Sequence, residues 1–178
     1  LAEKQAQGGG LLVVDEAFTE VAPDLSIADE GGREGLCVLR SFGKFFGLAG
    51  LRLGFALAHD ELTCELKTAL GPWPVSGPAL AICRQAFADT NWQNQALFDL
   101  RQSAAKMDIL IKRHELKFLG GTPLFCLIAH AKAHELYNHL GLNGVLTRTF
   151  EDQPDRLRIG MPKNEEEFDR FDDVLSRF

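Results

Sequence analysis

The sequence predicts an α/β fold, with a mainly parallel sheet in about the first 75 residues and a small α+β unit after residue 90. Two observations lead to this prediction. Short apolar runs bounded by glycine and acidic residues are typical of strands buried on both faces, as in parallel sheets. These runs alternate with segments of helical periodicity, which is the arrangement of layered α/β proteins.

Three apolar runs in the first part of the chain predict three strands, at residues 11–14, 36–40 and 53–58. The residues before them, 1–7, predict the tail of a helix that is ended by three consecutive glycines. After the third run, Asp60 is the predicted N-cap of a helix that continues to about residue 70.

The second part of the chain predicts helices and strands in alternation. Residues 78 to about 119 have a helical period, broken at 89–91, where Thr90 or Asn91 would cap a second long helix. The remaining predicted elements are strands at 122–129, 145–150 and 157–161, and helices at 131–140 and 164–178. We therefore expect a large-domain part at 1–75, a connecting helix at 76–90 and a small domain at 91–178.

Charge and composition exclude several function classes. The 178 residues include 19 Lys and Arg against 25 Asp and Glu, a net charge of −6, so no excess of cations exists to bind nucleic-acid phosphates. No apolar run approaches the roughly 18–20 residues that a transmembrane helix needs. No Cys-x-x-Cys pair or His-Glu-x-x-His motif predicts a metal site.

Cysteine context and the start of the chain give two further expectations. The apolar neighbours of Cys37 and Cys126 predict buried free thiols in a reducing compartment, so we expect a cytoplasmic protein. The chain starts at Leu1 without an initiator methionine and begins as if inside a helix, which suggests a fragment of a longer protein.

The segment between Ser41 and Gly54 contains the residues best suited to chemistry. Lys44 follows a predicted buried strand and has Phe, Gly, Leu and Ala neighbours, so we expect it to be poorly solvated. Desolvation favours the neutral amine, which is the nucleophile in Schiff-base chemistry. The alternative is a lysine that extends out of an apolar loop to reach water.

Three companions favour the chemical interpretation of Lys44. Ser41 and Arg52 supply a hydroxyl and a guanidinium, which are the groups that bind a phosphate. Asp15 ends the first predicted strand, at the edge of a parallel sheet where α/β proteins bind ligands. A buried aspartate needs a cationic partner, and a protonated pyridine nitrogen would be one.

Three motifs occur in a fixed order: Asp15-Glu16-Ala17-Phe18, then Ser41-x-x-Lys44, then Ala49-Gly50-Leu51-Arg52-Leu53-Gly54-Phe55. Together they resemble the fold-type-I pyridoxal-phosphate enzymes of the class I/II aminotransferase superfamily, and within it the histidinol-phosphate aminotransferases. The resemblance implies that the chain is the C-terminal portion of such an enzyme, with the end of the large-domain sheet and the small domain.

The resemblance also implies roles for individual residues. Lys44 would bind pyridoxal 5'-phosphate covalently, Asp15 would pair with the pyridine N–H, and Ser41 and Arg52 would bind the cofactor phosphate. Phe18 would lie at the cofactor ring, in the place where the aminotransferases usually have a tyrosine.

A fourth motif lies in the second part of the chain. Leu157-Arg158-Ile159-Gly160 is similar to the family segment whose arginine binds the substrate carboxylate, which implies that role for Arg158, although Arg156 is a neighbouring candidate. The family further implies a small anionic amino-acid phosphate as substrate and a homodimer when the protein is full length.

Several departures point to one subgroup of the family. Phe18, Gly43 in place of the usual serine, and the string Gly71-Pro72-Trp73-Pro74-Val75-Ser76-Gly77-Pro78-Ala79 look like the threonine-phosphate decarboxylases of cobalamin biosynthesis. That subgroup converts L-threonine O-3-phosphate to aminopropanol phosphate. The alternatives are a histidinol-phosphate-type aminotransferase and a catalytically incompetent fragment, and the string can also be a turn that caps a helix.

Overall fold

The strands of the protein form two separate three-stranded sheets, as a computed structural model of residues 1–178 describes them. The first sheet belongs to a unit formed by Leu1–Thr90, and the second to a unit formed by Asn91–Phe178. Both units mix helices with strands, so the predicted α/β fold class is confirmed.

In the first unit, a parallel and an antiparallel strand pair meet in one sheet. Its elements are α1 (Ala2–Gln7), β1 (Leu12–Asp15), β2 (Leu36–Ser41), β3 (Gly54–Ala58), α2 (Asp60–Leu70) and α3 (Gly77–Ala88). β1 runs parallel to β2, and β3 runs antiparallel to β2 on its other side. The carboxyl ends of β1 and β2 therefore lie at the same edge of the sheet, where β3 begins.

The prediction of strands that are buried on both faces is confirmed for the first three residues of β2. It is wrong for the rest of β2, where Leu39 is 38% exposed, and for β1. Leu36, Cys37 and Val38 of β2 are buried, because β2 lies between two neighbouring strands. β1 is an edge strand whose residues alternate between half-buried and exposed, and Val13 is 52% exposed. An edge strand has only one neighbour to cover it.

The two helices that follow β3 begin with different caps. His59 is the N-cap of α2, one residue before the predicted Asp60, and its side chain makes no capping hydrogen bond. Ser76 caps α3, because its Oγ accepts a hydrogen bond from the Ala79 N–H at 3.3 Å, and Pro78 occupies the first turn. The interpretation of this string as a helix-capping turn is thus confirmed.

The second unit is an antiparallel sheet with three helices. Its elements are α4 (Thr90–Arg113), β4 (Lys117–Thr122), β5 (Phe125–Ala129), α5 (Ala133–Leu142), β6 (Arg156–Gly160) and α6 (Glu165–Ser176), with β5 at the centre of the sheet. Its core contains Met107, Ile128, Leu136, Leu157 and Phe171, each at most 2% exposed. Asn164 caps α6 by accepting a hydrogen bond from the Glu167 N–H, near the predicted start of that helix.

The helix α4 ends earlier than predicted. It stops at Arg113, and the segment Lys117–Thr122 is strand β4, whereas the helical period extended to about residue 119. The reason is a helix-ending turn in which Glu115 has a left-handed φ of 53° and the Leu116 N–H donates to the Ile111 carbonyl. Glycine usually occupies this left-handed position, so a glutamate there gives no sequence signal.

Two predicted strands also need correction. The strand at residues 122–129 is divided, because Thr122 ends β4 and a turn separates it from β5, with the Leu124 N–H donating to the Thr122 hydroxyl. The strand predicted at residues 145–150 is wrong, since only an isolated bridge joins Arg148 to Arg158 there. α5 begins at Ala133 and ends at Leu142, later at both ends than predicted.

All four cysteines are free, and the predicted burial of two of them is confirmed. Cys37, Cys83 and Cys126 are buried, and Cys64 is exposed. Burial, with a smaller effect from the charge of Asp108, raises the pKa of the Cys126 thiol to about 11, so this thiol is protonated at neutral pH. None of the helices combines the length and the apolar character that crossing a membrane requires.

Candidate active site

The ends of two parallel strands define the candidate site in the first unit. Asp15 is the last residue of β1 and pairs in register with Leu39 of β2, two residues before Ser41. The Asp15 side chain is exposed, and its Oδ1 accepts a hydrogen bond from the Ala17 N–H at 2.9 Å. The expectation of a buried Asp15 is therefore wrong, because the edge strand β1 leaves this face uncovered.

Lys44 lies in the loop after β2, and the phenylalanines around it fold inward. Phe42, Phe45 and Phe46 are buried, with the Phe42 and Phe46 rings stacked at 4.6 Å and both rings in contact with Phe87 of α3. This aromatic cluster fixes the loop and leaves the Lys44 side chain exposed. The expected desolvation of Lys44 is thus wrong in this chain, because its apolar neighbours pack against one another and not around it.

The Lys44 side chain reaches the turn that follows Asp15. Its Nζ lies 5.6 Å from the centroid of the Phe18 ring, a distance at which a cation is attracted to an aromatic face. Phe18 is three residues after Asp15, so this contact connects the segment after β1 with the loop after β2. The fold thus brings the motif that contains Asp15 and Phe18 next to the motif that contains Ser41 and Lys44.

Ser41, Lys44 and Arg52 line a common cavity of about 240 Å³. The other residues that line it are Arg40, Gly43, Ala49, Leu53 and Gly54. The Arg40 charge is neutralised by two carboxylates, with Nη2 at 2.8 Å from Glu20 and Nη1 at 3.5 Å from Glu16. Lys44 and Arg52 therefore supply the positive charge that remains in this cavity.

The Arg52 backbone has a left-handed conformation. Arg52 follows a short 3-10 helix, Ala49–Leu51, and has a φ of 53°, which non-glycine residues adopt at an energetic cost. Its Nη1 donates a hydrogen bond to the Ala49 carbonyl at 3.2 Å, so the guanidinium folds back toward the same turn. The turn thus determines where the Arg52 charge lies in the cavity.

Gly43 allows this turn to approach the lysine loop. A Cβ atom added at Gly43 would lie 2.8 Å from the Ala49 Cα, which is too close for any side chain without a backbone shift. The glycine that distinguishes this chain from the serine-containing motif of the aminotransferases therefore has a steric basis.

We expect Gly43→Ala to lower the free energy of unfolding by about 1–3 kcal/mol, because overpacking forces the Ala49 turn outward. Urea denaturation measures this change. Gly50→Ala in the same loop is the matched control, since a Cβ at Gly50 meets nothing within 4 Å. Equal unfolding midpoints for the two variants would contradict the close approach.

An ionic cluster beside the cavity has no counterpart in the sequence predictions; Glu16 in it is buried, and Glu20 and Arg40 are partly buried. Glu16, directly after Asp15, is 5% exposed, and its two carboxylate oxygens accept hydrogen bonds from the Ser26 hydroxyl and the Ile27 N–H at 2.7 and 2.6 Å. Arg40 joins this carboxylate to that of Glu20. The available signal was a charged residue at the end of each of two apolar runs.

Arg158 belongs to the second unit, on strand β6. It is half-buried, its guanidinium lies 4.8 Å from the Phe125 ring centroid, and no carboxylate is within salt-bridge distance of it. Arg156, the neighbouring candidate, is engaged by the Gln153 side chain at 2.6 Å and by Asp155 at 4.0 Å. Of the two arginines, Arg158 has the charge that is available to an anion.

Comparison with known proteins identifies relatives of this arrangement. Residues 1–175 match the family model described as aminotransferase class I and II. A threonine-phosphate decarboxylase of Pseudomonas aeruginosa is 43% identical over 96% of this chain and 51% of its own length. A histidinol-phosphate aminotransferase of Mannheimia succiniciproducens is 29% identical over 79% of this chain and 42% of its own length.

Solved structures with the same fold have lower sequence identity. The histidinol-phosphate aminotransferase of Clostridium acetobutylicum matches with a TM-score of 0.88 at 19% identity, over 99% of this chain and 56% of that one. That of Sinorhizobium meliloti, solved in complex with pyridoxal-5'-phosphate, matches with a TM-score of 0.81 at 20% identity, over 99% and 53%. The chain spans about half the length of the relatives that it matches.

Proposed function

The chain belongs to the class I and II aminotransferase family, and from that membership we propose that it provides the cofactor lysine and part of the phosphate site of a pyridoxal-phosphate enzyme. The observation that carries the proposal is the common cavity of Ser41, Lys44 and Arg52. A primary amine, a hydroxyl and a guanidinium are the groups needed to hold an aldehyde and a phosphate together.

The residues present fit the cofactor. Lys44 and Arg52 have no carboxylate within salt-bridge distance, so their charges are not consumed by the chain itself. The Asp15 carboxylate is exposed at the edge of the same sheet and has only a backbone N–H as partner. Each of these three side chains can therefore still form a hydrogen bond or an ion pair with a ligand.

We assign a separate task to each residue. Lys44 would hold the cofactor covalently and, when its amine is free, would accept or return a proton there. Ser41 would donate a hydrogen bond from its hydroxyl to a phosphate oxygen, and Arg52 would add N–H donors. Asp15 would accept a hydrogen bond from the pyridine N–H, and its negative charge would keep that nitrogen protonated. When bound, pyridoxal phosphate supplies an electron sink for negative charge at the substrate Cα.

We assign binding roles, without proton transfer, to Phe18 and Arg158. Phe18 offers an apolar ring beside Lys44, without the hydroxyl of a tyrosine. Arg158 binds an anionic group of the substrate, carboxylate or phosphate, with its planar fork of N–H donors. Orienting that group determines which bond at Cα is held for cleavage, and this choice distinguishes decarboxylation from transamination.

We favour decarboxylation of L-threonine O-3-phosphate to aminopropanol phosphate, the reaction that the resemblance connects with cobalamin biosynthesis. The 43% identity to a threonine-phosphate decarboxylase, against 29% to a histidinol-phosphate aminotransferase, supports this choice. Phe18 and Gly43 support it as well, because these are positions at which the chain resembles the decarboxylases and departs from the aminotransferases. Transamination of histidinol phosphate is the second candidate, and a catalytically incompetent fragment is the third.

The proposal includes the organisation and setting of the protein. Residues 1–75 would belong to the large domain, 76–90 to a connecting helix and 91–178 to the small domain of a homodimer. The free buried thiols support a reducing compartment such as the cytoplasm.

The reaction is tested by giving the complete gene product that carries this chain either phosphothreonine alone or histidinol phosphate with 2-oxoglutarate. We expect carbon dioxide release from phosphothreonine with no keto acid consumed. Glutamate formation from histidinol phosphate would establish the aminotransferase instead. The incompetent fragment would be favoured if the 178-residue chain, reconstituted with pyridoxal phosphate, showed no absorbance of bound cofactor. Arg158→Lys keeps the charge but loses the fork, so we expect it to raise KM more than it lowers kcat.

A further inference from the structure

The ionic cluster beside the cavity connects the segment after β1, which follows Asp15, with the end of β2, which precedes Lys44. Glu16 directly follows Asp15, and Arg40 directly precedes Ser41. The Glu16 N–H donates to the Leu39 carbonyl at 2.8 Å, which extends the β1–β2 ladder by one step, and the Glu16–Arg40 ion pair continues the contact in the side chains. The pair therefore lies at the carboxyl ends of β1 and β2, next to Asp15 and Ser41 of the candidate site.

Glu16 also holds the turn that carries Phe18. Its carboxylate accepts hydrogen bonds from the Ser26 hydroxyl and the Ile27 N–H, in the middle of the same connection between β1 and β2, and its own carbonyl accepts one from the Thr19 N–H. Because the Phe18 ring is in contact with the Lys44 ammonium, a movement of this turn changes the surroundings of Lys44.

Arg40 is held by several partners and not by Glu16 alone. Its Nε and Nη2 both donate to Glu20 Oε1, at 3.3 and 2.8 Å, and its Nη1 is 3.4 Å from the Ser26 hydroxyl. Arg40 therefore pairs with two carboxylates, whereas one carboxylate is enough to neutralise a guanidinium. The cluster thus fixes Arg40 from three sides, and the charge of Arg40 is already paired with carboxylates although this residue lines the cavity.

We propose that Glu16 and Arg40 are positioning residues, which fix the segment carrying Asp15 and Phe18 against the loop carrying Lys44. The proposal rests on the proposed role of Lys44. Glu16 does not line the cavity, and Arg40, which does, acts in this proposal through its contacts with Glu16 and Glu20. The rival explanation is an ion pair that stabilises the fold without any effect on the site. The two explanations differ in what happens to the Lys44–Phe18 contact.

The test measures that contact without cofactor or substrate. Reductive methylation with ¹³C-formaldehyde gives each lysine a labelled dimethylammonium group that keeps its charge, and the spectrum of Lys44→Arg assigns the Lys44 signal. We expect this signal to lie upfield of the other lysines, because the Phe18 ring faces the ammonium. In Glu16→Gln and in Arg40→Lys, we expect it to move at least halfway toward the mean of the other lysines.

Glu30→Gln is the matched control, because Glu30 pairs with Arg33 in the same connection between β1 and β2 but both side chains are exposed. We expect its Lys44 signal to be unchanged. If Glu16→Gln does not fold, Ser26→Ala removes one hydrogen bond to Glu16, keeps both charges, and is expected to shift the signal in the same direction by less.

Three results would overturn the proposal: a Lys44 signal that is not displaced in the wild-type chain, one that stays in place in Glu16→Gln or Ser26→Ala while the urea midpoint falls, or an equal change in Glu30→Gln. These results are independent of cofactor binding. Failure of Lys44 to react with pyridoxal phosphate would instead contradict the proposed function.

Discussion

Replacing Lys44 with arginine is expected to lower kcat of the complete protein by roughly 10³-fold, which is the scale at which removal of a proton-transferring group acts. Arginine keeps the positive charge and the contact with Phe18, so the change removes mainly the nucleophilic amine. Steady-state turnover of phosphothreonine measures the effect.

Lys67→Arg is the control for the Lys44 substitution. Lys67 is an exposed lysine on α2 in the same unit, outside the cavity that Ser41 and Arg52 line. We expect turnover of this variant to equal that of the unsubstituted protein. Turnover above one tenth of normal in Lys44→Arg would remove Lys44 from the mechanism.

The second large effect is expected for Asp15→Asn. The substitution keeps the size of the side chain and its hydrogen bond to the Ala17 N–H, but removes the charge that would hold the pyridine nitrogen protonated. We expect a loss of transition-state stabilisation on the order of 3 kcal/mol, seen as a fall in kcat of roughly 10²-fold.

The fall in kcat should be larger than any change in KM, because the charge matters while negative charge develops on the substrate. Asp29→Asn, an exposed aspartate in the connection between β1 and β2, is the control and is expected to be silent. Near-normal turnover of Asp15→Asn would contradict the role of Asp15, whatever the result for Lys44.

The sequence could predict those site residues that lie close together along the chain. Ser41, Lys44 and Arg52 lie within one short segment, and a loop that returns between two adjacent strands brings them to one cavity. The three strands of the first unit were predictable for a related reason, since each is a short apolar run with glycine or polar residues at its ends. The roles of Asp15, Phe18 and Arg158 remain predictions.

The features that sequence could not predict depend on orientation or on partners distant along the chain. The exposure of Lys44 follows from the packing of its phenylalanine neighbours, which composition does not reveal. Phe42 and Phe46 pack on each other and on Phe87, and Phe45 packs on Phe46. The Glu16–Arg40 pair joins the residue that directly follows β1 to a residue of β2, 24 positions later in the sequence. The end of α4 depends on a left-handed Glu115, at a position where the expected signal is glycine.

The most direct measurement of the central claim is borohydride reduction of the complete protein with pyridoxal phosphate, followed by tryptic peptide mapping. Trypsin does not cleave after a modified lysine, so a label on Lys44 leaves residues 41–52 as one peptide between the cleavage sites at Arg40 and Arg52. We predict that the pyridoxyl mass is found on this peptide. A pyridoxyl mass on any other lysine, or no label above that of an unfolded control, would contradict the account.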